Sequence, residues 1–414
     1  MKNILIITKL ASTKKEGFES RISVLAQEFV KKKHTVTVVT SNSNHLAYYK
    51  KTSRKIQDYV HNGVNFKVLK NLQYKNTISL RRVLSWVDFE LKIFFNLKKL
   101  ITIKPDVIIV SSLSLLTVIN GLILKRKYKQ AKMIFEVRDI WPLTLIEEGN
   151  YSKHHPAVLF LGFIEKIGYR YYDAIVGTMP NLSEHVENVL NKKVTNVYCV
   201  PFGVSASVQE LSDTTILENE LLNKFKKFSN GKFTVGYAGS IGLSNGLDTI
   251  IEVVKKLKEN RDINFVFLGE GGYKDKYEKE LSQYPNALFT GRVDREHVQY
   301  FLYHCDVLFI AALPSKVWLY GWSLNKMIDY MISGKPVIAE YDGYKSMINE
   351  ANSGFFVKSG NIDELKDKIE EVAKIQPIDL EKKGRNGKEW IIKNRTWSKL
   401  AADYLSIIDK TIKF

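Results

Sequence analysis

Short β-branched runs alternate with stretches of helical spacing along the whole chain. NILIIT at 3–8 predicts a strand, FESRISVLAQEFVKK at 18–32 a helix and HTVTVVT at 34–40 a second strand, together a βαβ unit. PDVIIVSS, AKMIFEVRD, YDAIVGT and TNVYCVP follow as further buried strands separated by helical segments, the pattern of a doubly wound parallel sheet. The alternation then restarts. KFTVGYAGS predicts a strand, GLDTIIEVVKKLKEN a helix, and INFVFLGEG, NALFTGRV, DVLFIAAL and KPVIAEY four more strands. Two Rossmann-like α/β halves therefore follow one another, joined through the polar stretch 205–231. The expected division is a first domain at 1–204, a second at 205–392, and a terminal helix at 393–414 that packs back on the first.

Composition is that of a folded protein: 414 residues, 45% hydrophobic and 12% aromatic, enough for two cores and too apolar for a disordered chain. Cys199 and Cys305 each lie in an apolar run, so both are expected as reduced, buried thiols, which points to the cytoplasm. MKNILIITKL suits a first strand better than a signal peptide, and no apolar run approaches the ~20 residues that span a bilayer. His154 and His155 lack further ligands at metal spacing, and no Asp-x-Asp falls in a strand-end loop; no divalent metal is expected.

Charge divides the chain. Residues 1–200 carry 32 basic and 15 acidic side chains, net +17, whereas residues 201–414 carry 30 and 29. A basic surface on the first domain facing an anionic partner is the expectation. Two segments there are suggestive: LSWVDFELKIFFNLKKL at 84–100, which mixes aromatic and basic residues and is expected as a core helix, and PAVLFLGFI at 156–164, an uninterrupted apolar and glycine run short enough to dip into a membrane interface without crossing it. Nucleic acid is not expected, because no recognition motif or basic stripe with interleaved aromatics is present.

In open α/β sheets ligands bind beyond the carboxyl ends of the strands, and two such domains would frame a cleft. Gly236, Gly239, Gly242 and Gly246 surround the end of one strand, and Gly269, Gly271 and Gly272 follow another. Glycines there allow close backbone approach, favouring a nucleotide-containing ligand on the second domain. The stretch YGWSLNKMIDYMISGKPVIA at 320–339 adds chemistry, with Ser323 expected to cap a helix whose first turns carry Lys326 and Asp329.

GSIGLSNGLDTI, FLGEGG, FTGRV and above all SLNKMIDYMISGKPVIA resemble the second domain of bacterial GT-B glycosyltransferases of family 4. EVRDIWP at 136–142 and the Gly17–Arg21 segment resemble first-domain motifs of the members that build capsule, O-antigen or related polysaccharides. The resemblance implies a GT-B fold, a nucleotide diphosphate sugar, favoured as a UDP-sugar, on the second domain, and an acceptor on the first. Lys326 would neutralise the diphosphate leaving group, helped by the Gly321–Ser323 backbone, by Arg292 and by the Gly239, Gly242, Gly269 and Gly271 loops. Asp329 would bind the ribose hydroxyls, and Gly17 would approach the diphosphate from the first domain. Asp139 is the acid expected near the acceptor hydroxyl, with Arg138 beside it and Glu136 as the fallback.

One departure stands out: the family pairs two acids seven positions apart, and the first falls on Gly321. The GSIGLSNGLD loop also lacks the Arg and Lys that many relatives carry there. The expected function is a retaining, metal-independent transferase that glycosylates a polyprenyl-pyrophosphate-linked glycan at an anionic inner-leaflet membrane surface. The alternatives are a sugar-nucleotide epimerase on the same scaffold, which calls for more acids, and a catalytically silent nucleotide-binding subunit of a polysaccharide assembly complex.

Overall fold

The computed structural model describes residues 1–45, 47–49, 53–74, 79–112, 114–204 and 220–413; positions 205–219 of the expected connecting stretch lie outside the described residues. The chain divides into two compact units, Met1–Gly203 together with Trp397–Phe414, and Val204–Thr396.

The first unit is built on an eight-stranded sheet. Its strands are β1 (Asn3–Ile7), β2 (Thr35–Ser41), β3 (Ile56–His61), β4 (Val64–Leu69), β5 (Val107–Ser111), β6 (Lys132–Val137), β7 (Ala174–Gly177) and β8 (Val197–Cys199), in the order β3-β4-β2-β1-β5-β6-β7-β8. All neighbours run parallel, as expected of a doubly wound sheet, except β3 and β4, which form an antiparallel edge hairpin. Asn62 and Gly63 make its turn with φ of +47° and +77°, the left-handed pair that a tight hairpin requires. Winding proceeds from β1 through β2 to β4 and then resumes at β5 on the other side of β1. The order therefore reverses between β1 and β5, where such sheets open a crevice. The terminal helix Trp397–Lys413 packs on the helix Arg21–Lys31, with Tyr404 edge-on to Phe29 at 5.6 Å, and Leu400, Ala401 and Ile408 share one core with Ile22 and Leu25.

The second unit carries six parallel strands in the order β11-β10-β9-β12-β13-β14. They are β9 (Phe233–Ala238), β10 (Ile263–Leu268), β11 (Ala287–Gly291), β12 (Val307–Ala311), β13 (Val337–Glu340) and β14 (Gly354–Val357). Every residue of β10 and β12 is buried, as expected where helices cover both faces of a parallel sheet. Here the order reverses between β9 and β12.

Two packing expectations need correction. Cys305 is buried, but Cys199 is exposed, because it ends the three-residue edge strand β8. The segment 84–100 belongs to the helix Leu80–Leu100, which buries only one narrow face, including Ser85, Phe89, Glu90 and Ile93. Val83, Leu84, Val87, Leu91, Phe94 and Phe95 are exposed, so this is no core helix. The helix Pro156–Tyr171 likewise exposes Leu159, Phe160 and Phe163.

Candidate functional site

In the second unit the chemistry gathers at the reversal point beside β9. Lys326 is the second residue of the helix Asn325–Ile332. Its Nζ reaches the Asn245 side-chain oxygen and donates to the Tyr237 hydroxyl at 3.2 Å, while lying 4.9 Å from the centre of that ring. Tyr237 ends near the carboxyl edge of β9 and its hydroxyl donates onward to the Ser240 carbonyl at 2.7 Å. These partners are neutral. Burial pushes the Lys326 ammonium down to about 8, with no neighbouring charge to offset it. A half-buried cation whose contacts are neutral oxygens and an aromatic face is suited to receive an anion.

The helix start agrees with that reading but not with the expected cap. Leu324, not Ser323, occupies the N-cap position, and it makes no side-chain cap hydrogen bond. The positive end of the helix dipole therefore lies beside Lys326. Ser323 and Asp329 are both half-buried, Asp329 one turn further along the helix, where its carbonyl accepts from Gln299 at 3.1 Å.

The glycine loops lie together, for a different reason than the expected phosphate cradle. Gly239 donates its N–H to the Leu268 carbonyl at 2.9 Å, and Gly269 donates to the Gly291 carbonyl at 2.9 Å. A Cβ on Gly269 would sit 1.9 Å from the Gly239 oxygen, and one on Gly271 2.2 Å from the Ile241 oxygen. These glycines let the loops after β9, β10 and β11 pack backbone to backbone, and two of their N–H groups are thereby spent. Gly242, by contrast, precedes a 3-10 turn, Leu243–Asn245, which presents Asn245 to Lys326. Arg292, directly after β11, is exposed. Gly321 is buried with φ +103°, its N–H bonded to the Trp318 carbonyl at 3.0 Å. The next residue, Trp322, stacks on Tyr341 at 4.0 Å, and its buried indole N–H has no partner.

In the first unit the expected acids separate. Glu136, inside β6, is fully buried and ion-paired with Arg21, which also donates to the Val200 carbonyl at 2.5 Å. It has no access to a substrate proton, so the fallback base is excluded. Arg138 and Asp139 follow the strand. Arg138 lies over the Phe202 ring at 5.5 Å. Crowding by protein raises the Asp139 carboxyl above its ordinary range, with Arg138 and then Arg82 pulling it back. Asp139 nevertheless remains open to solvent. Trp141 meets Trp86 edge to face at 5.4 Å. Gly17 ends a 3-10 turn at φ +82° and does not open a helix; that role falls to Ser20, whose side chain caps Arg21–Lys31. Among the described residues other than its chain neighbours, none comes within 4 Å of a Cβ built on Gly17.

Sequence reasoning missed Tyr237, Asn245, Arg82 and Trp86. Only Asn245, within the glycine loop LSNG, carried a local signal.

Residues 219–390 match the family described as Glycosyl transferases group 1. No curated protein resembles the chain closely enough to count as a match. Among solved structures, sucrose-phosphate synthase from Thermosynechococcus elongatus is 14% identical with a TM-score of 0.71, covering 99% of both chains. The E. coli trehalose-6-phosphate structure bound with UDP-2-fluoro glucose is 11% identical with a TM-score of 0.75, covering 100% of this chain and 99% of that one. The Anabaena protein HepE in complex with UDP-glucose is 12% identical with a TM-score of 0.62, covering 99% of this chain and 100% of that one. Across that distance the likeness is one of fold, and the fold is GT-B.

Proposed function

We propose that this glycosyltransferase of the GT-B fold is a family 4 enzyme that moves a sugar from a UDP-sugar to a glycan carried on a polyprenyl pyrophosphate, in the assembly of a capsule or O-antigen type polysaccharide. The observation that carries the proposal is Lys326, a half-buried ammonium with neutral partners in the first turn of a helix whose N-cap residue, Leu324, makes no side-chain cap. When the bond from the sugar carbon to the β-phosphate oxygen breaks, negative charge grows on the departing diphosphate. A fixed cation at a helix N-terminus stabilises that charge more than it stabilises the bound donor, which lowers the barrier. Arg292 supplies a second cation and Asp329 the ribose contact. Asp139, whose carboxyl the crowding protein holds above the usual carboxylate range, accepts the proton of the acceptor hydroxyl as its oxygen bonds to the sugar carbon. Retention of configuration follows the family resemblance.

Uridine as the base is supported by the similarity to structures holding UDP-glucose and UDP-2-fluoro glucose. A lipid-linked acceptor is supported by the first unit. No helix among the described residues is long and apolar enough to cross a membrane. Two helices of that unit nonetheless expose rows of large apolar side chains, including Phe95 at 75% and Phe163 at 62%, on a strongly basic half of the chain. That combination suits peripheral attachment to an anionic inner leaflet.

The test is release of free nucleotide from a panel of UDP- and GDP-sugars, with and without short-chain polyprenyl-pyrophosphate glycans. Acceptor-dependent release, lost in Lys326→Ala and in Asp139→Asn without unfolding, is the expected result. Donor binding with no release across a broad acceptor panel would replace the transferase with a silent binding subunit.

A further inference from the structure

The helix Leu80–Leu100 carries a constellation that the transfer step does not use. The Arg82 guanidinium lies over the Trp86 ring at 5.3 Å, and Trp86 meets Trp141 at 5.4 Å with an interplanar angle of 81°. The two indoles thus form a corner two residues from Asp139. Burial sets the main shifts of Lys9, His45, Tyr74 and Asp139, the Arg82 charge is felt by all four, and its guanidinium also hydrogen-bonds the Tyr74 hydroxyl. The helix is anchored beneath. Glu90 accepts from Ser114 at 2.7 Å and from Asn120 at 2.7 Å, which ties it to the helix Thr117–Lys127.

What flanks the corner is apolar. Val83, Leu84 and Val87 are exposed on the same helix. On the other side Pro142 lies against Gly162, where an added Cβ would be 3.7 Å from the proline ring, and Phe160 and Phe163 are exposed beside Gly162. A planar, permanently charged fork matches a phosphate oxyanion pair, indole faces suit the C–H faces of a sugar, and the adjoining apolar rows suit hydrocarbon. An amphipathic phosphate ester has these three parts in that order.

We propose that Arg82, Trp86 and Trp141 form the binding site for the pyrophosphate and first sugar of the lipid-linked acceptor, with the first isoprene units along Val83, Val87 and Phe163. The site orients the acceptor, so that these are positioning residues, while Asp139 meets the hydroxyl. This inference rests on the lipid-linked acceptor proposed above. A phospholipid headgroup offers the same phosphate chemistry, and the experiment separates the two sources.

Tryptophan fluorescence of the full chain is titrated with three probes: a short-chain polyprenyl pyrophosphate disaccharide, the same disaccharide without phosphate, and phosphatidylglycerol vesicles. Saturable quenching by the first alone, lost in Trp86→Phe and weakened about tenfold or more in Arg82→Gln, is the expected result, that factor being the usual worth of a charge-assisted contact. In turnover, the Arg82→Gln loss falls on the acceptor KM and not on the donor KM, and Arg82→Lys restores only part of it. Equal quenching by the phosphate-free disaccharide, or by vesicles, overturns the assignment, as does an Arg82→Gln protein with wild-type melting and wild-type acceptor KM. Donor binding is measured in parallel. Its absence sinks the transferase reading through Lys326, whereas its presence with no Arg82 effect sinks only this site.

Discussion

Arg21 and Glu136 form an ion pair with side chains 1% and 0% exposed, at the junction of the helix Arg21–Lys31, strand β6 and the Val200–Pro201 segment. Such a pair is costly to break because either partner alone is a buried, uncompensated charge. Glu136→Ala should therefore destabilise the first unit by about 3–5 kcal/mol, lowering the first thermal transition sharply. Asp139→Asn should melt like wild type, since its carboxyl reaches solvent and the amide keeps its shape. Equal melting of the two variants would put Glu136 back among the candidate catalytic groups.

Lys326 gives a pH signature. With its pKa at about 8, the ammonium that receives the diphosphate is lost as pH rises through that value. Donor affinity, measured by calorimetry, should be level below pH 7 and fall by roughly tenfold per unit once well above about 8. A donor affinity unchanged to pH 10 would remove Lys326 from the diphosphate site.

The same group predicts a stability trend of the opposite sign. Its folded pKa lies below the model-peptide value of 10.5, so between about 8 and 10.5 the unfolded chain binds more protons. Burial of the charge thus costs stability in full below about 8, and the cost is relieved as pH climbs towards 10.5. The stability of Lys326→Met minus that of wild type should shrink over that window, by an amount on the order of 1–3 kcal/mol. Urea denaturation of the second unit at pH 7 and pH 10 reads the difference directly.

The parallel strands were legible because runs such as INFVFL and VLFIA must be buried on both faces, and the αβ alternation leaves few other topologies. The β3–β4 hairpin was not legible although Asn62-Gly63 is a turn signal, because the edge strand β3 mixes half-buried and exposed residues and shows no apolar run. Lys326 could be picked out locally. Its partners could not, since Asn245 and Tyr237 stand 81 and 89 residues away and only the sheet order brings them to it. Helix Leu80–Leu100 misleads for a related reason: apolar residues ring it, and periodicity alone does not tell which face the sheet covers.

The Gly239–Gly269 contact can be tested by adding one carbon. Gly269 has φ +142°, and a Cβ there would collide with the Gly239 oxygen at 1.9 Å. Gly269→Ala must push the loop after β9, and a Cβ on Gly239 would itself be 3.5 Å from the Lys326 side chain. The expected outcome is a loss of about 1–3 kcal/mol in stability together with weaker donor binding. Gly272→Ala, with open space around its Cβ, is the control and should leave both nearly unchanged.

Gly321 decides whether the missing acid marks a lost activity or a different route to the same one. Its φ of +103° belongs to a backbone conformation that residues with a Cβ rarely adopt, fixed by the N–H bond to Trp318 and followed directly by the buried Trp322. The loop is therefore built around glycine. A decayed acidic site would keep a backbone on which a side chain still fits. Gly321→Glu should lower the melting temperature, with a strain of roughly 1–3 kcal/mol, and should not raise nucleotide release. Higher turnover in Gly321→Glu would show the opposite, that the acid is absent by loss and that the chain has retained the place for it.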